Sequence, residues 1–206
     1  MEWLAGFLIL FPLFMMTVVI HEVSHGVVAN LLGDPTARDA GRLTLNPLRH
    51  IDPFGTLLLP LLLRLIHSPI VFGWAKPVPV DYRNLRHPKR DMFWIGAAGP
   101  AANFAMAAAA ALLLRAGGAA FSPMIVSLLK TLAVINLSLG MFNLLPVPPL
   151  DGSRVLAGLL PVRWAVEVLR LERWGILILV GFLYLGVVER VVWPAVVWFA
   201  KGLGLL

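Results

Sequence analysis

Two histidines four positions apart, with a glutamate directly after the first, stand at His21, Glu22 and His25 inside the apolar run VVIHEVSHGVV. On a helix, positions i and i+4 lie one turn apart on one face, so both imidazoles reach a single ion. Glu22 then sits beside them, placed to touch a water on that ion rather than the ion itself. This is the H-E-x-x-H arrangement of zinc metalloproteases: the metal brings its water's pKa toward about 7, and the glutamate takes the proton and later returns it to the leaving amine. Three fixed letters in five residues also arise by chance, so the setting matters. Two imidazoles and a carboxylate among Val, Ile and Ala are costly to bury unless an ion or a partner compensates.

A catalytic zinc has three protein ligands and an open fourth position. The chain has no cysteine, so any metal must use His, Asp or Glu. Among the remaining acids, Asp34, Asp39, Asp52, Asp81 and Asp91 fall in polar stretches, whereas Asp151 closes NLLPVPPLDG (143–152), directly after a long apolar run. Taken alone, that stretch is an ordinary helix exit punctuated by prolines, with Asp-Gly as a turn. Beside an intramembrane HExxH, its irregular backbone marks a buried or water-lined place, and Asp151 is the best candidate for the third ligand. His50, His67 and His87 lie in basic or polar loops and are read as non-ligands.

The elements that must position these residues are membrane helices. Hydrophobic residues make up 59% of the 206 and charged residues only 14%, far from the roughly 25% charged of a soluble domain. Apolar stretches place spans at about 3–33, 92–115, 122–146 and 173–190, the last of them short and anchored by Trp174 and Arg190. The tail 191–206, interrupted by Pro194, reads as an interfacial helix. The start of the chain has Glu2 and no basic region, so no cleavable signal peptide is expected and the first helix is retained. The expectation is a single all-α polytopic domain of about four transmembrane helices, carrying a short membrane-associated β-strand and re-entrant region between the first two.

The hallmark stretches resemble the site-2 proteases, which are intramembrane zinc proteases. Their two motifs are an HExxH in a transmembrane helix and a downstream N-x-x-P-x-P-x-L-D-G, matched here by Asn143, Pro146, Pro148, Leu150, Asp151 and Gly152. GRLTLNPLRHIDPFGT (41–56), GWAKPVPVD (73–81) and GPAAN (99–103) also look like compact members of that family, without inserted peptide-binding (PDZ) or nucleotide-sensing (CBS) domains. The resemblance implies one catalytic zinc held by His21, His25 and Asp151, Glu22 as general base, and Asn143 as a holder of substrate or oxyanion. An Asn in such a helix is also a common structural hydrogen-bonder.

If the three ligands share one ion, the chain must cross the membrane an even number of times between His25 and Asp151. FGTLLLPLLLRLI (54–66) is too short for about 30 Å of hydrocarbon and contains Pro60 and Arg64, so it is read as re-entrant or interfacial, with 34–91 on one side. That loop carries Arg38, Arg42, Arg49, Arg64, Lys76, Arg83, Arg86, Lys89 and Arg90, and the same side holds Arg154, Arg163, Arg170 and Arg173. The positive-inside rule then makes this side cytoplasmic and brings the active site toward it. PIVFGWAKPVPVDY (69–82) favours extended edge strands, which either pair with an unwound substrate or merely cover the site. The small residues of GAAGPAANFAMAAAAA permit close helix packing.

The function expected is intramembrane hydrolysis of peptide bonds in or near the transmembrane segments of other proteins, in a lipid bilayer. A metal transporter or sensor is the alternative, but it calls for further ligands along a path; an inactive helix-binding scaffold would not need Glu22. No nucleic-acid module accompanies the net charge of +6. Arginine outnumbers lysine thirteen to four, which with the topology suggests a prokaryotic plasma membrane.

Overall fold

The computed structural model describes residues 2–67 and 73–206, with the side chains of 2–9 and 119 left aside. Among the described residues the protein is all-helical. Helix α1 (Glu2–Leu32) contains the apolar span Leu10–Leu32, whose 23 residues reach about 34 Å at 1.5 Å per residue, enough to cross the hydrocarbon. It stops at Gly33, whose φ of 113° is open to glycine and strained for other residues, and the Asp34 amide closes back on Ala29 O at 2.9 Å.

Asp34 then ties this end to the far side of the long loop. Its buried carboxylate accepts from Thr36 N, the Thr36 hydroxyl, Asn84 Nδ2 and Asp81 N. A short turn, α2 (Thr36–Asp39), follows. Next, Asp52 caps the turn at Pro53 by accepting from Phe54 N and Gly55 N, and α3 (Leu59–Leu65) continues from it. The apolar helical stretch Pro53–Leu65 is thirteen residues long, too short to cross about 30 Å of hydrocarbon as a straight helix.

The expected strands at 69–82 are a correction. Residues 68–72 lie outside the described residues, and 73–81 are extended without joining a sheet. The reason is visible in where the backbone donors go. Trp74 N reaches Gly55 O, Lys76 N reaches His50 O and Val78 N reaches the Glu22 carboxylate: three separate partners rather than a ladder.

Helix α4 (Pro88–Gly117) is the centre of the molecule and packs against α1, α5 (Pro123–Asn143) and α6 (Asp151–Leu159). Both α4 and α5 are long and apolar enough to cross a membrane. Beyond α6 the chain runs through α7 (Val162–Arg170), α8 (Gly175–Tyr184) and α9 (Trp193–Gly202).

Among the described residues three helices are long and apolar enough to cross a membrane, and the expected fourth span at 173–190 is not one straight helix. Gly186, at φ 69°, ends α8, and Val162–Tyr184 and Val188–Gly202 meet at a 66° bend. One face of the tail packs inward. Val196, Ala200 and Leu205 are buried against Ala107, Ala110, Ala111, Ala133 and Leu137, small residues that let α4 and α5 approach closely. Large apolar side chains such as Phe14, Leu112, Met124, Ile176 and Leu177 face outward, as a lipid-facing surface requires.

Candidate active site

The site is built where α1, α4 and the start of α6 meet. His21 and His25 project from one face of α1, and Asp151 comes from the first turn of α6. His21 Nε2 lies 3.0 Å from Asp151 Oδ2, His25 Nε2 lies 3.2 Å from the same oxygen, and the two imidazole nitrogens are 3.1 Å apart. All three residues are buried. Among the described residues they form the one His/Asp/Glu group able to hold a metal ion.

The protons show why these atoms suit a cation. His21 Nδ1 is 2.6 Å from Asn103 Oδ1, and His25 Nδ1 is 2.6 Å from Ile95 O, so each ring donates outward through Nδ1. Each neutral imidazole then turns an unprotonated Nε2 inward, toward a carboxylate oxygen that has no hydrogen-bond donor of its own. In the neutral form of both rings, three lone pairs face one point. Ligands about 2.05 Å from a tetrahedral zinc are about 3.3 Å from one another, close to the spacings seen here.

Helix α4 makes the room. Ile95, Gly96, Gly99 and Asn103 line one stripe of it. A Cβ on Gly99 would stand 2.5 Å from His21 Cε1 and 2.6 Å from His21 Nε2, and one on Gly96 would stand 3.0 Å from Arg154 Cβ and 3.1 Å from Asp151 O. Two glycines therefore let the ligand-bearing helices reach α4. Gly152 does the same at the start of α6, where a Cβ would collide with Leu144 O and Leu145 O, so Asp-Gly here is a packing device rather than a free turn.

Glu22 lies beside the three clustered residues and outside their group, with Oε2 accepting from Val78 N at 2.9 Å. Asn143, the last residue of α5, donates through Nδ2 to Leu139 O in its own helix. His50 is buried with Nε2 donating to Thr44 O, while His67 and His87 are exposed; none joins the cluster.

Several residues of the site went unnoticed in the sequence. Arg154, one turn past Asp151, has Nη1 3.8 Å from Asp151 Oδ1 and donates through Nη2 to Glu172 Oε1 at 2.9 Å, so it braces the outer oxygen of the carboxylate. Asn103 and Gly99 were hidden in a small-residue stretch whose default reading is packing. Their spacing of four, on the face that meets α1, was the available signal.

An all-helical membrane protein with a His, His and Asp cluster buried between helices is of the intramembrane metalloprotease type, and comparison with known proteins agrees. The sequence profile of Peptidase family M50 matches residues 116–186, which include the Asn143–Gly152 motif. "Putative zinc metalloprotease YwhC" of Bacillus subtilis is 36% identical over 196 residues, covering 90% of this chain and 86% of that protein. "Putative zinc metalloprotease Rip2" of Mycolicibacterium smegmatis is 28% identical over 199 residues, covering 97% and 75% respectively. No solved structure matches. The chain belongs to Peptidase family M50, the site-2 proteases, and is an integral membrane metalloprotease.

Proposed function

We propose that the protein is an intramembrane zinc protease that hydrolyses peptide bonds in or near the transmembrane segments of other membrane proteins, as in regulated intramembrane proteolysis. The observation that carries the reading is the convergence of His21 Nε2, His25 Nε2 and Asp151 Oδ2 with both Nδ1 protons directed away. These three residues hold the ion, and zinc suits two imidazoles and a carboxylate that leave a fourth position open. When bound, the ion supplies Lewis-acid polarisation of the scissile carbonyl and acidifies water.

Glu22 takes the proton of the attacking water and passes it to the leaving amine. The Val78 amide holds one of its oxygens, which leaves the other for that proton. Asn143, at the end of α5, is retained as a polar group for the substrate, although its amide proton serves Leu139 O. The extended segment over Glu22 acts as cover for the site. Its inward N–H groups, at 74, 76 and 78, are already used, and Pro77 and Pro79 remove donors from the opposite edge, which makes it a poor template for an added strand. The basic residues of the long loop support a site toward the cytoplasm of a prokaryotic plasma membrane.

The test is co-expression of the chain with single-pass membrane proteins, comparing wild type with Glu22→Gln. The reading expects truncated products with wild type alone, while both purified proteins carry one zinc per chain. Truncation by Glu22→Gln, or purified protein without zinc, would defeat it.

A further inference from the structure

Behind His21 a file of polar side chains crosses three helices, and we propose that this file, through Asn136 and Asn103, sets the tautomer of His21 and so frees its Nε2 for the metal. The proposal rests on the metal-site reading above. Thr17, Asn103 and Asn136 are each wholly buried within largely apolar helices α1, α4 and α5.

The direction of every donor is fixed from the far end. Leu132 O has no proton to give, so the Asn136 atom 2.9 Å from it is the amide nitrogen. The same nitrogen donates to Thr17 Oγ1 at 3.1 Å, and the Thr17 hydroxyl in turn donates to Leu13 O at 3.1 Å. Asn136 Oδ1 therefore faces α4 and accepts from Asn103 Nδ2 at 2.9 Å. That leaves Asn103 Oδ1 toward His21 Nδ1, an acceptor that keeps the ring in the Nδ1–H form.

Were the Asn103 amide reversed, its NH2 would occupy the Nδ1 lone pair, the ring proton would move to Nε2 and the ligand would be capped. His25 does not share this weakness, because its acceptor is the backbone carbonyl of Ile95, which cannot turn over. Asn136 is thus a positioning residue that acts on the metal ligand through Asn103.

Full-length protein in detergent, stripped of metal and labelled with 15N-histidine, reads the tautomer directly, and competition with a chelator reads zinc affinity. Wild type should show His21 as Nδ1–H. Asn136→Leu should show a mixture of tautomers and bind zinc about tenfold more weakly, and Asn103→Leu, which removes the acceptor itself, about 10–100-fold more weakly. Asn103→Asp presents an acceptor whichever way it turns, so adding Asn136→Leu to it should change affinity by no more than about twofold.

Thermal unfolding of each metal-free variant shows whether it is folded. The proposal fails if Asn136→Leu keeps a pure Nδ1–H His21 and wild-type affinity. It also fails if Asn103→Asp/Asn136→Leu loses as much affinity relative to Asn103→Asp as Asn136→Leu loses relative to wild type, because the loss would then come from helix packing. A wild-type chain that takes up no zinc defeats the metal-site reading instead, while the tautomer spectra still decide the relay.

Discussion

Gly99→Ala adds one methyl group at the closest approach between α4 and the two imidazoles. Its Cβ would sit 2.5 Å from His21 Cε1 and 2.6 Å from His21 Nε2, where ordinary contact begins at 3.4 Å, so something must move by roughly 0.8–0.9 Å. Metal sites tolerate about 0.2 Å in ligand distance, so a shift of this size takes His21 out of the shared ion's reach. Overpacking of this kind costs about 1–3 kcal/mol in stability, small enough for the protein to fold. Zinc affinity is therefore expected to fall by about 100-fold or more, at or beyond the upper end of what outer-shell substitutions cause. The assay is zinc retention across a series of chelator buffers, with thermal unfolding of the metal-free protein alongside. Gly181→Ala is the control, since a Cβ there meets nothing within 4 Å, and it should leave zinc binding unchanged. Wild-type zinc affinity in folded Gly99→Ala would refute the placement of the imidazoles against α4.

Val78→Pro removes the amide that holds Glu22; a bond to a charged group contributes about 1.5–3 kcal/mol, so cleavage should fall at least about tenfold with zinc content unchanged. Unaltered cleavage would mean that the amide does not position the base. Burial opposes ionisation of Asp34, but hydrogen bonds from Asn84, Thr36 and the Asp81 amide outweigh it and hold the carboxyl below the usual range. A depressed folded-state pKa gives stability that is complete above about pH 4 and is lost as pH falls through the folded value. Thermal unfolding between pH 5 and pH 2 should therefore show an acid loss that Asp34→Asn reduces, and an equal loss in the variant would remove Asp34 from the account.

The chemistry of the site was more legible than its support. HEVSH specifies two side chains on one helical face whatever surrounds it, and the prolines of NLLPVPPLDG force a break after α5, so Asp151 was legible as the partner of His21 and His25, and the crossing parity was an expectation drawn from that pairing. The strands at 73–81 were misjudged because β-branched residues and prolines dictate an extended backbone, while a strand also needs a continuous partner. Here the donors at 74, 76 and 78 go to a turn, a loop and a side chain. The bend in the expected fourth span was not legible because hydropathy is blind to direction. The run from Trp174 onward is largely apolar, yet Gly186 turns it and Val196 and Ala200 bury themselves against the bundle. Gly99 and Asn103 showed only as a spacing of four within GPAAN, and Asn136 not at all as a site residue, since their role depends on which helix lies opposite.

The central claim is that residues 126 positions apart, His25 and Asp151, share one ion with His21. The zinc K-edge X-ray absorption spectrum of the purified full chain tests it most directly. The account predicts one zinc per chain with four light ligands at about 2.0–2.1 Å, of which two are imidazoles, and loss of the ion in Asp151→Ala. A third imidazole in the spectrum, or full zinc occupancy in Asp151→Ala, would contradict it.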